Sequence, residues 1–284
     1  MKIKYLSIII IATIIFTSCT KVEILTDSYW PYFVSDFRKS ASLLKFQALF
    51  KGFKLELTVS NLENETSDTI EPNSFNSDIY LLSPLLSQQI DNFSDANKKG
   101  IFYYFANSTD FSGNLADKPG NSADKIVMIR KDRLESFYEA GELLNNKIKN
   151  TLVLPVIFEI DNNSLKEETQ SFITGFESGK NKIIPFEISN TDKELDIRNI
   201  FENKVVQNSK YLAIFSNNWK KICLELAEKE NKLIVTSDSW FYSSYKSTIL
   251  FSVEDNIKGM LNKVYNSAKM KKLDDITLEG VILR

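Results

Sequence analysis

The chain has 284 residues, 43% of them hydrophobic, a formal charge of −2 and two cysteines. It contains no histidine, which removes the usual general base and the commonest metal ligand. Lys and Glu are scattered without a basic stripe, so the charge pattern fits no nucleic-acid partner, and a body of this size holds two lobes or one large domain around its own core.

The amino end reads as an address. Lys2 and Lys4 precede Leu6 to Phe16, which is hydrocarbon apart from Ser7 and Thr13, and Phe16-Thr17-Ser18-Cys19 follows at once. That is the layout of a secretory signal, and it is short for a membrane span. With a cysteine at the cut, the segment resembles a bacterial lipoprotein signal whose lipobox is relaxed, Phe16 standing where Leu is commoner. The resemblance implies removal of residues 1–18, acylation of Cys19 with palmitate-type chains, and a lipid-anchored place in the cell envelope. An ordinary signal peptide with an incidental cysteine is the alternative. Two or more acyl chains would hold the protein stably, where one would not. The first strand begins at Val22, so the body is expected close to the bilayer, facing the periplasm. Cys223 falls on the core face of a predicted helix, and with Cys19 acylated no intramolecular disulfide is expected.

From Val22 onward strands and helices alternate. Val22–Thr26 and Phe53–Val59 read as strands flanking an amphipathic helix over Ser35–Lys51, and Asn61–Ser77 as a loop or shortened helix. Asp78–Leu82 is a predicted strand, Leu85–Asn92 a short helix, and Ile101–Phe105 a strand in which Tyr103 and Tyr104 are core and surface neighbours. Asn107–Asp124, with Gly113, Pro119 and Gly120, reads as a long excursion, a lid or hinge flap. Lys125–Ile129 is a strand and Lys131–Lys147 a helix. Leu152–Phe158 is the next strand, and Ser164–Gly179 a helix with Ser164 as N-cap and Glu167 completing a capping box. Strands follow at Ile183–Ile188, Tyr211–Phe215, Leu233–Thr236, Thr248–Val253 and Leu278–Leu283. Helices are expected at Asp192–Gln207, Trp219–Glu230 and Glu254–Lys272, the last begun by Glu254 and Asp255, where negative charge suits a helix start. Such alternation predicts α/β architecture with parallel sheets in two Rossmann-like halves.

One pattern recurs three times. Ile24-Leu25-Thr26-Asp27-Ser28-Tyr29-Trp30, Ala213-Ile214-Phe215-Ser216-Asn217-Asn218-Trp219 and Ile234-Val235-Thr236-Ser237-Asp238-Ser239-Trp240 each leave a strand through small polar residues and end on tryptophan. These are the only three tryptophans in the chain. A single Trp there can simply close a core, but the recurrence points to a ligand cleft at the carboxyl ends of the strands. Aromatic faces stack on a sugar or a base, while Asp accepts from hydroxyls and Asn both donates and accepts. Strand-end positions thus give Asp27, Tyr29, Trp30, Ser83, Asn107, Asn217, Asn218, Trp219, Asp238 and Trp240 as candidate ligand contacts. Asp27 and Asp238 equally suit the role of strand-end turn residues.

Lys125-Ile-Val-Met-Ile129, the helix after it, Leu152-Val-Leu-Pro-Val-Ile-Phe158 and the Phe-x-x-Gly-Phe segment at Phe172, Gly175 and Phe176 resemble the middle of a type I periplasmic binding protein. Ile234–Asp238 is similar to the family strand whose final Asp binds a sugar hydroxyl, and Phe251–Asn256 with Gly259 to its hinge and returning helix. The resemblance implies two lobes, residues 19–130 with 252–273 and residues 131–251 with 274–284, joined by a hinge and clamping a ligand between strand ends. It adds Glu159 and Asp161, after the sixth strand, to the candidate contacts. Among lipoproteins of this fold, basic membrane proteins bind purine nucleosides, and their ribose-holding Asp looks like Asp238. The chain departs from the family in its lost second helix, its scarcity of glycine, and the lack of a clear sugar-binding arginine beyond Arg130 or Arg133.

The function expected is capture of a small polar ring ligand, nucleoside or sugar, for an ABC importer, with an ABC permease as partner and no cofactor or metal. The alternative is a degenerate binding-protein fold serving as a structural or sensory lipoprotein. No metal-ligand spacing, Gly-rich phosphate loop or nucleophile elbow points to an enzyme.

Overall fold

Short runs of Ile, Val, Leu and aromatic residues, most of them ending at Ser or Asp, become the strands of a computed structural model that describes residues 20–27, 45, 53–60, 76–96, 99–106, 125–148, 153–178, 181–238, 244–270 and 273–283. The strands are β1 (Thr20–Asp27), β2 (Phe53–Ser60), β3 (Ile79–Leu82), β4 (Ile101–Phe105), β5 (Ile126–Lys131), β6 (Val153–Glu159), β7 (Lys182–Ile188), β8 (Tyr211–Phe215), β9 (Leu233–Ser237), β10 (Ile249–Asp255), β11 (Ile276–Leu278) and β12 (Gly280–Leu283). The described helices are α1 (Ile90–Ala96), α2 (Leu134–Lys147), α3 (Asn163–Phe176), α4 (Glu194–Glu202), α5 (Lys204–Asn208), α6 (Lys220–Lys229) and α7 (Ile257–Met270). Contacts divide the chain into two units, Met1–Lys131 with Ile257–Thr277 and Asp132–Asn256 with Leu278–Arg284. The backbone therefore passes between them three times, at 131/132, 256/257 and 277/278.

The first unit carries the sheet β2-β1-β3-β4-β5-β11, in which β1/β2, β1/β3, β3/β4 and β4/β5 pair in parallel. Every residue of β3 is buried, as a central parallel strand covered on both faces requires. Leu25, Tyr80, Leu82, Leu86, Phe93, Phe102 and Tyr104 form a core, with the Tyr80 and Phe102 rings stacked 4.9 Å apart. Helix α7 buries Ile257, Met260, Leu261 and Val264, the 3–4 spacing of one helical face.

The second unit repeats the order, β7-β6-β8-β9-β10-β12, with five parallel strands and an antiparallel β12 closing one edge. Alternation sorts its two faces. Val156, Phe158, Ala213, Phe215, Val235, Phe251 and Val253 meet Phe137, Ala140, Leu144, Leu165, Phe172 and Phe176 of α2 and α3. On the opposite face Ile157, Leu212, Ile214 and Ile234 meet Ile197, Phe201, Val206, Cys223, Leu224 and Ala227. Helices α2 and α3 cross with backbones almost touching. A Cβ on Gly141 would lie 2.2 Å from the Phe172 carbonyl oxygen, and one on Gly175 would lie 2.1 Å from that of Tyr138. That contact gives the Phe-x-x-Gly-Phe segment its physical reason. The other edge, β7, carries Pro185 at its centre. Lys232 reaches inward to donate to the carbonyls of Val206, Gln207 and Ser209 at 2.7, 3.1 and 3.0 Å, closing the carboxyl end of α5.

Several expectations are corrected. Asn162, not Ser164, caps α3, its Oδ1 accepting from Leu165 N at 3.1 Å. The single helix expected over Asp192–Gln207 is α4 and α5, because Asn203 turns to extended backbone and caps α5 through Val205 N. Glu254 and Asp255 belong to β10 rather than to a helix, since β12 runs antiparallel beside them and satisfies their backbone. The closing strand is split, β11 lying in one sheet and β12 in the other. Tyr103 and Tyr104 are both buried, and burial pushes the Tyr103 hydroxyl pKa up. The predicted helix over 35–51, apart from Lys45, and the excursion 107–124 lie outside the described residues. Among the described residues no helix is long and apolar enough to cross a membrane.

Candidate functional site

In each sheet the chain first moves one way, from β1 to β2 or β6 to β7, and then returns to the other side at β3 or β8. That reversal leaves a crevice at the carboxyl ends of the first and third strands, where open α/β sheets bind ligands.

In the first unit the reversal lies between Asp27, the last residue of β1, and Ser83, the residue after β3. Ser83 is buried; its N–H donates to the Leu25 carbonyl, and its own carbonyl accepts from Ser87 N and Oγ, each at 2.8 Å. It winds the chain into the 3₁₀ turn Leu86–Gln89. Tyr29, Trp30, Asn107, Trp240 and the lipidation candidate Cys19 lie outside the described residues.

The second unit brings Glu159, Asp161, Asn217, Asn218 and Trp219 together. Glu159 ends β6, and its buried carboxylate faces the turn after β8. Oε2 accepts from Ser216 Oγ at 3.0 Å, Asn217 N at 2.9 Å and Asn218 N at 3.3 Å, while Oε1 accepts from Asn218 Nδ2 at 2.9 Å. Ser216 Oγ also accepts from Trp219 N at 2.9 Å, and the Trp219 indole N–H donates to the Ser189 carbonyl at 2.9 Å. Asp161 accepts from Asn190 N at 2.6 Å and Ser189 Oγ at 2.8 Å, and these bonds hold its carboxyl below the usual range. Asn218 Nδ2 donates as well to Asn190 Oδ1. The loops after β6, β7 and β8 are thereby tied into one frame. Glu159 and the Trp219 N–H serve that frame, and Asn217 and Asn218 remain exposed on it.

Asp238 sits at the end of β9 on the same edge, with φ of 48°, a left-handed turn that Asp tolerates better than most residues. Its partner is Arg133, the N-cap residue of α2. Arg133 Nη1 donates to Asp238 Oδ1 at 2.7 Å and lies 3.3 Å from Asp255 Oδ1. Nε and Nη2 fork onto the two oxygens of Glu168, each at 2.8 Å, and the guanidinium carbon stands 5.3 Å from the Phe137 ring centre. Burial works against the Arg133 charge, but Asp238, Glu168 and Asp255 outweigh it and raise its pKa well above the ordinary arginine value. A buried guanidinium needs such partners, because a lone charge in that place would cost several kcal/mol, order ~5.

The sequence resemblance left Arg133, with Arg130, as an unclear counterpart of the family's sugar-binding arginine near the hinge, and Glu168 was missed. The available signal was position: Glu168 falls on the stripe of Leu165, Thr169, Phe172 and Phe176, and a carboxylate on a buried stripe requires a cation. Among the described residues no group of three His, Cys, Asp or Glu side chains is placed to hold a metal ion. The chemistry that the edge offers is hydrogen bonding by amides and a carboxylate on a fixed frame.

No protein-family model and no curated protein matches the sequence. Solved structures do match. An ABC transporter solute-binding protein from Conexibacter woesei has a TM-score of 0.67 at 9% identity, over 94% of this chain and 88% of that one. A periplasmic ribose ABC transporter protein from the same organism gives 0.62 at 11%, over 94% and 91%. A periplasmic binding protein/LacI transcriptional regulator from Alkaliphilus metalliredigens, complexed with D-xylulofuranose, gives 0.53 at 14%, over 93% and 97%. The chain has the type I periplasmic binding protein fold, two mostly parallel α/β units, as the sequence resemblance implied.

Proposed function

We propose that the protein is a lipid-anchored solute-binding protein of the cell envelope that captures a small polar ring ligand, sugar or nucleoside, and delivers it to an ABC permease. The observation that carries the reading is the strand-end edge of the second unit, where the rigid Glu159-centred frame presents Asn217 and Asn218 and Arg133 holds Asp238 in a turn. Amides and a carboxylate held so rigidly recognise hydroxyls at little entropic cost. Fold neighbours that carry a pentose or are named for ribose support the ligand class. At the first unit's own strand ends Asp27, Tyr29, Trp30 and Asn107 are proposed as contacts from the sequence alone, as is Trp240 in the second unit, whereas the buried Ser83 serves the turn after β3. Glu159, Asp161 and Trp219 act here mainly by fixing the frame.

The test uses the full chain in detergent micelles, titrated with D-ribose, D-xylose and adenosine by calorimetry, with mass spectrometry of a denatured extract for carried ligand. Saturable binding of one class, weakened at least tenfold in Asp238→Ala, is expected. Incorporation of a labelled fatty acid into wild type but not Cys19→Ser is expected alongside it. No binding and no carried ligand would remove the transport reading. The second reading, a structural or sensory lipoprotein on the same fold, would then stand, and the internal engagement of Glu159 and the Trp219 indole favours it.

A further inference from the structure

We infer that the amino end of the first unit's sheet is a membrane-contact face: Lys21, Lys54, Lys99 and Lys125, with Met270 beside them, rest on the anionic phospholipid headgroups of the bilayer that Cys19 enters. The carboxyl ends of the same strands, where Asp27 lies, then face away from the membrane. The inference rests on the lipid anchor of the reading under Proposed function and adds the surface that the anchor brings to the bilayer. The sequence scatters these lysines and the topology gathers them. In parallel strands every amino end lies at one end of the sheet, here in the order β2-β1-β3-β4-β5. Lys21 stands directly opposite Lys54. Val22 pairs with Ile79, Ile79 with Ile101 and Phe102 with Ile126, so Lys99 and Lys125 fall within about one residue of the level of Lys21. All four lysines are exposed, and Lys125 Nζ reaches the Lys99 carbonyl at 3.4 Å. Four strand spacings of about 4.8 Å spread them over about 19 Å.

Four carboxylates belong to the same end and offset part of this charge. Asp78 Oδ2 accepts from the Lys21 N–H at 2.9 Å, and Asp95 is exposed in the last turn of α1. Glu23 and Glu56 lie opposite one another, two residues or about 7 Å further into the sheet than Lys21 and Lys54. Glu23 accepts from the Thr58 and Ser77 hydroxyls, and Glu56 pairs with Lys54. The bond to Lys54, and then the charges of Lys54, Lys21 and the exposed Lys45, hold the Glu56 carboxyl below its usual range. Lysine is thus the outermost layer, and in the sequence Lys51, Lys98, Lys271 and Lys272 stand next to the same chain ends. Helix α7 comes down to this face. Lys263 Nζ reaches the Thr277 carbonyl of β11, and Arg130 binds Asp275 just before that strand, near the carboxyl end of β5. One turn further on, Ser267 Oγ accepts from Tyr103 Oη at 3.3 Å, in the middle of β4. Met270 closes the helix with 65% of its surface exposed, an apolar side chain suited to the headgroup layer. Cys19 is bonded to Thr20, the first residue of β1, and consecutive Cα atoms are about 3.8 Å apart. An acylated Cys19 therefore holds this end of the sheet in the headgroup layer, with no linker on which the unit could turn. Each lysine within a Debye length of about 8 Å from an anionic surface strengthens the contact about fivefold. Lys131, at the far end of β5, is six residues or about 20 Å from Lys125 and lies beyond that reach.

The experiment places the full chain in lipid discs of phosphatidylcholine alone or with one third phosphatidylglycerol. A membrane-impermeant amine-acylating ester is added, and labelling of each lysine is followed by mass spectrometry. Lys21, Lys54, Lys99 and Lys125 are expected to label at least fivefold more slowly in the anionic discs, with the difference lost in molar salt, while Lys131 labels alike in both. No slowing at the four, equal slowing in both lipids, or slowing shared by Lys131 overturns the inference. The mass of the amino-terminal peptide reports acylation of Cys19 separately. If Cys19 carries no acyl chain, the anchor reading fails and the face is still decided. An uncut chain enters the discs through residues 6–16, and the same labelling pattern applies. A chain cut without acylation is floated with the anionic vesicles beside its Lys21→Gln, Lys54→Gln, Lys99→Gln, Lys125→Gln variant. At least tenfold weaker binding by the variant upholds the face, and equal binding or none by either overturns it.

Discussion

Replacing Gly175 with alanine sets two physical effects against each other. In an exposed helix interior the change would stabilise by about 1 kcal/mol, because glycine has the poorer helix propensity. Here the new methyl would stand 2.1 Å from the Tyr138 carbonyl oxygen and 2.9 Å from its carbon, both rigid backbone atoms. Ordinary contact begins at 3.4 Å, so one helix must retreat by about 1 Å. Overpacking of this kind costs roughly 1–3 kcal/mol. The retreat also pulls at the Arg133–Glu168 fork, because Arg133 caps α2 and Glu168 rides on α3. A buried charge-assisted bond stretched out of range adds roughly 1 kcal/mol or more. We expect a net loss of about 2 kcal/mol, read as a lower urea midpoint for the second unit by far-ultraviolet circular dichroism at unchanged slope. Gly141→Ala, whose methyl would meet the Phe172 carbonyl, should behave alike, and the double variant should lose less than the sum because one displacement relieves both contacts. An equal or higher midpoint for Gly175→Ala would refute the close crossing.

Asn162→Ala should lower stability by about 1 kcal/mol through loss of the α3 cap, while Ser164→Ala should change it by under about half that; equal effects would return the cap to Ser164. Cys223 is buried in α6, and burial alone pushes its thiol up to about 12. In a Cys19→Ser background it should resist iodoacetamide at pH 8 until urea is added. Because the folded thiol stays protonated where the unfolded one ionises, its contribution is intact below the unfolded value near 8.5 and is lost as pH rises toward 12, at about 1.4 kcal/mol per unit. An alkaline stability profile identical in Cys223→Ala would contradict this.

The strands were legible because parallel sheets bury both faces of each strand, leaving unbroken runs such as Ile79–Leu82 between polar stops. The two-unit α/β architecture followed from their alternation with helices. What periodicity could not show was tertiary. Glu254 and Asp255 look like a helix start, and only the return of β12 beside them keeps them extended. Asn203 sits inside an unbroken amphipathic pattern, yet its side chain competes for the backbone and starts a new helix. At the site, residue type was enough to gather Asn217, Asn218 and Asp238 at strand ends, with Glu159 added only by the family resemblance. It could not tell a carboxylate offered outward from one turned inward, because Glu159 is defined by the hydroxyl and N–H groups of a turn 57 to 59 positions away. Arg133 and Glu168, 35 positions apart, form a pair that neither side chain announces alone.

Among the described residues the sheet of the second unit ends in a strand with no neighbour on its outer side, β7, and Pro185 lies in the middle of it, opposite Val156. An open strand of this kind is a template on which another molecule's strand could grow. Proline removes one N–H from the row and fixes the local backbone angle, so an incoming strand meets a gap at the centre of the seam. If such proteins crowd a membrane surface, where tethering multiplies encounters, that single ring guards against the conversion of neighbours into a shared sheet.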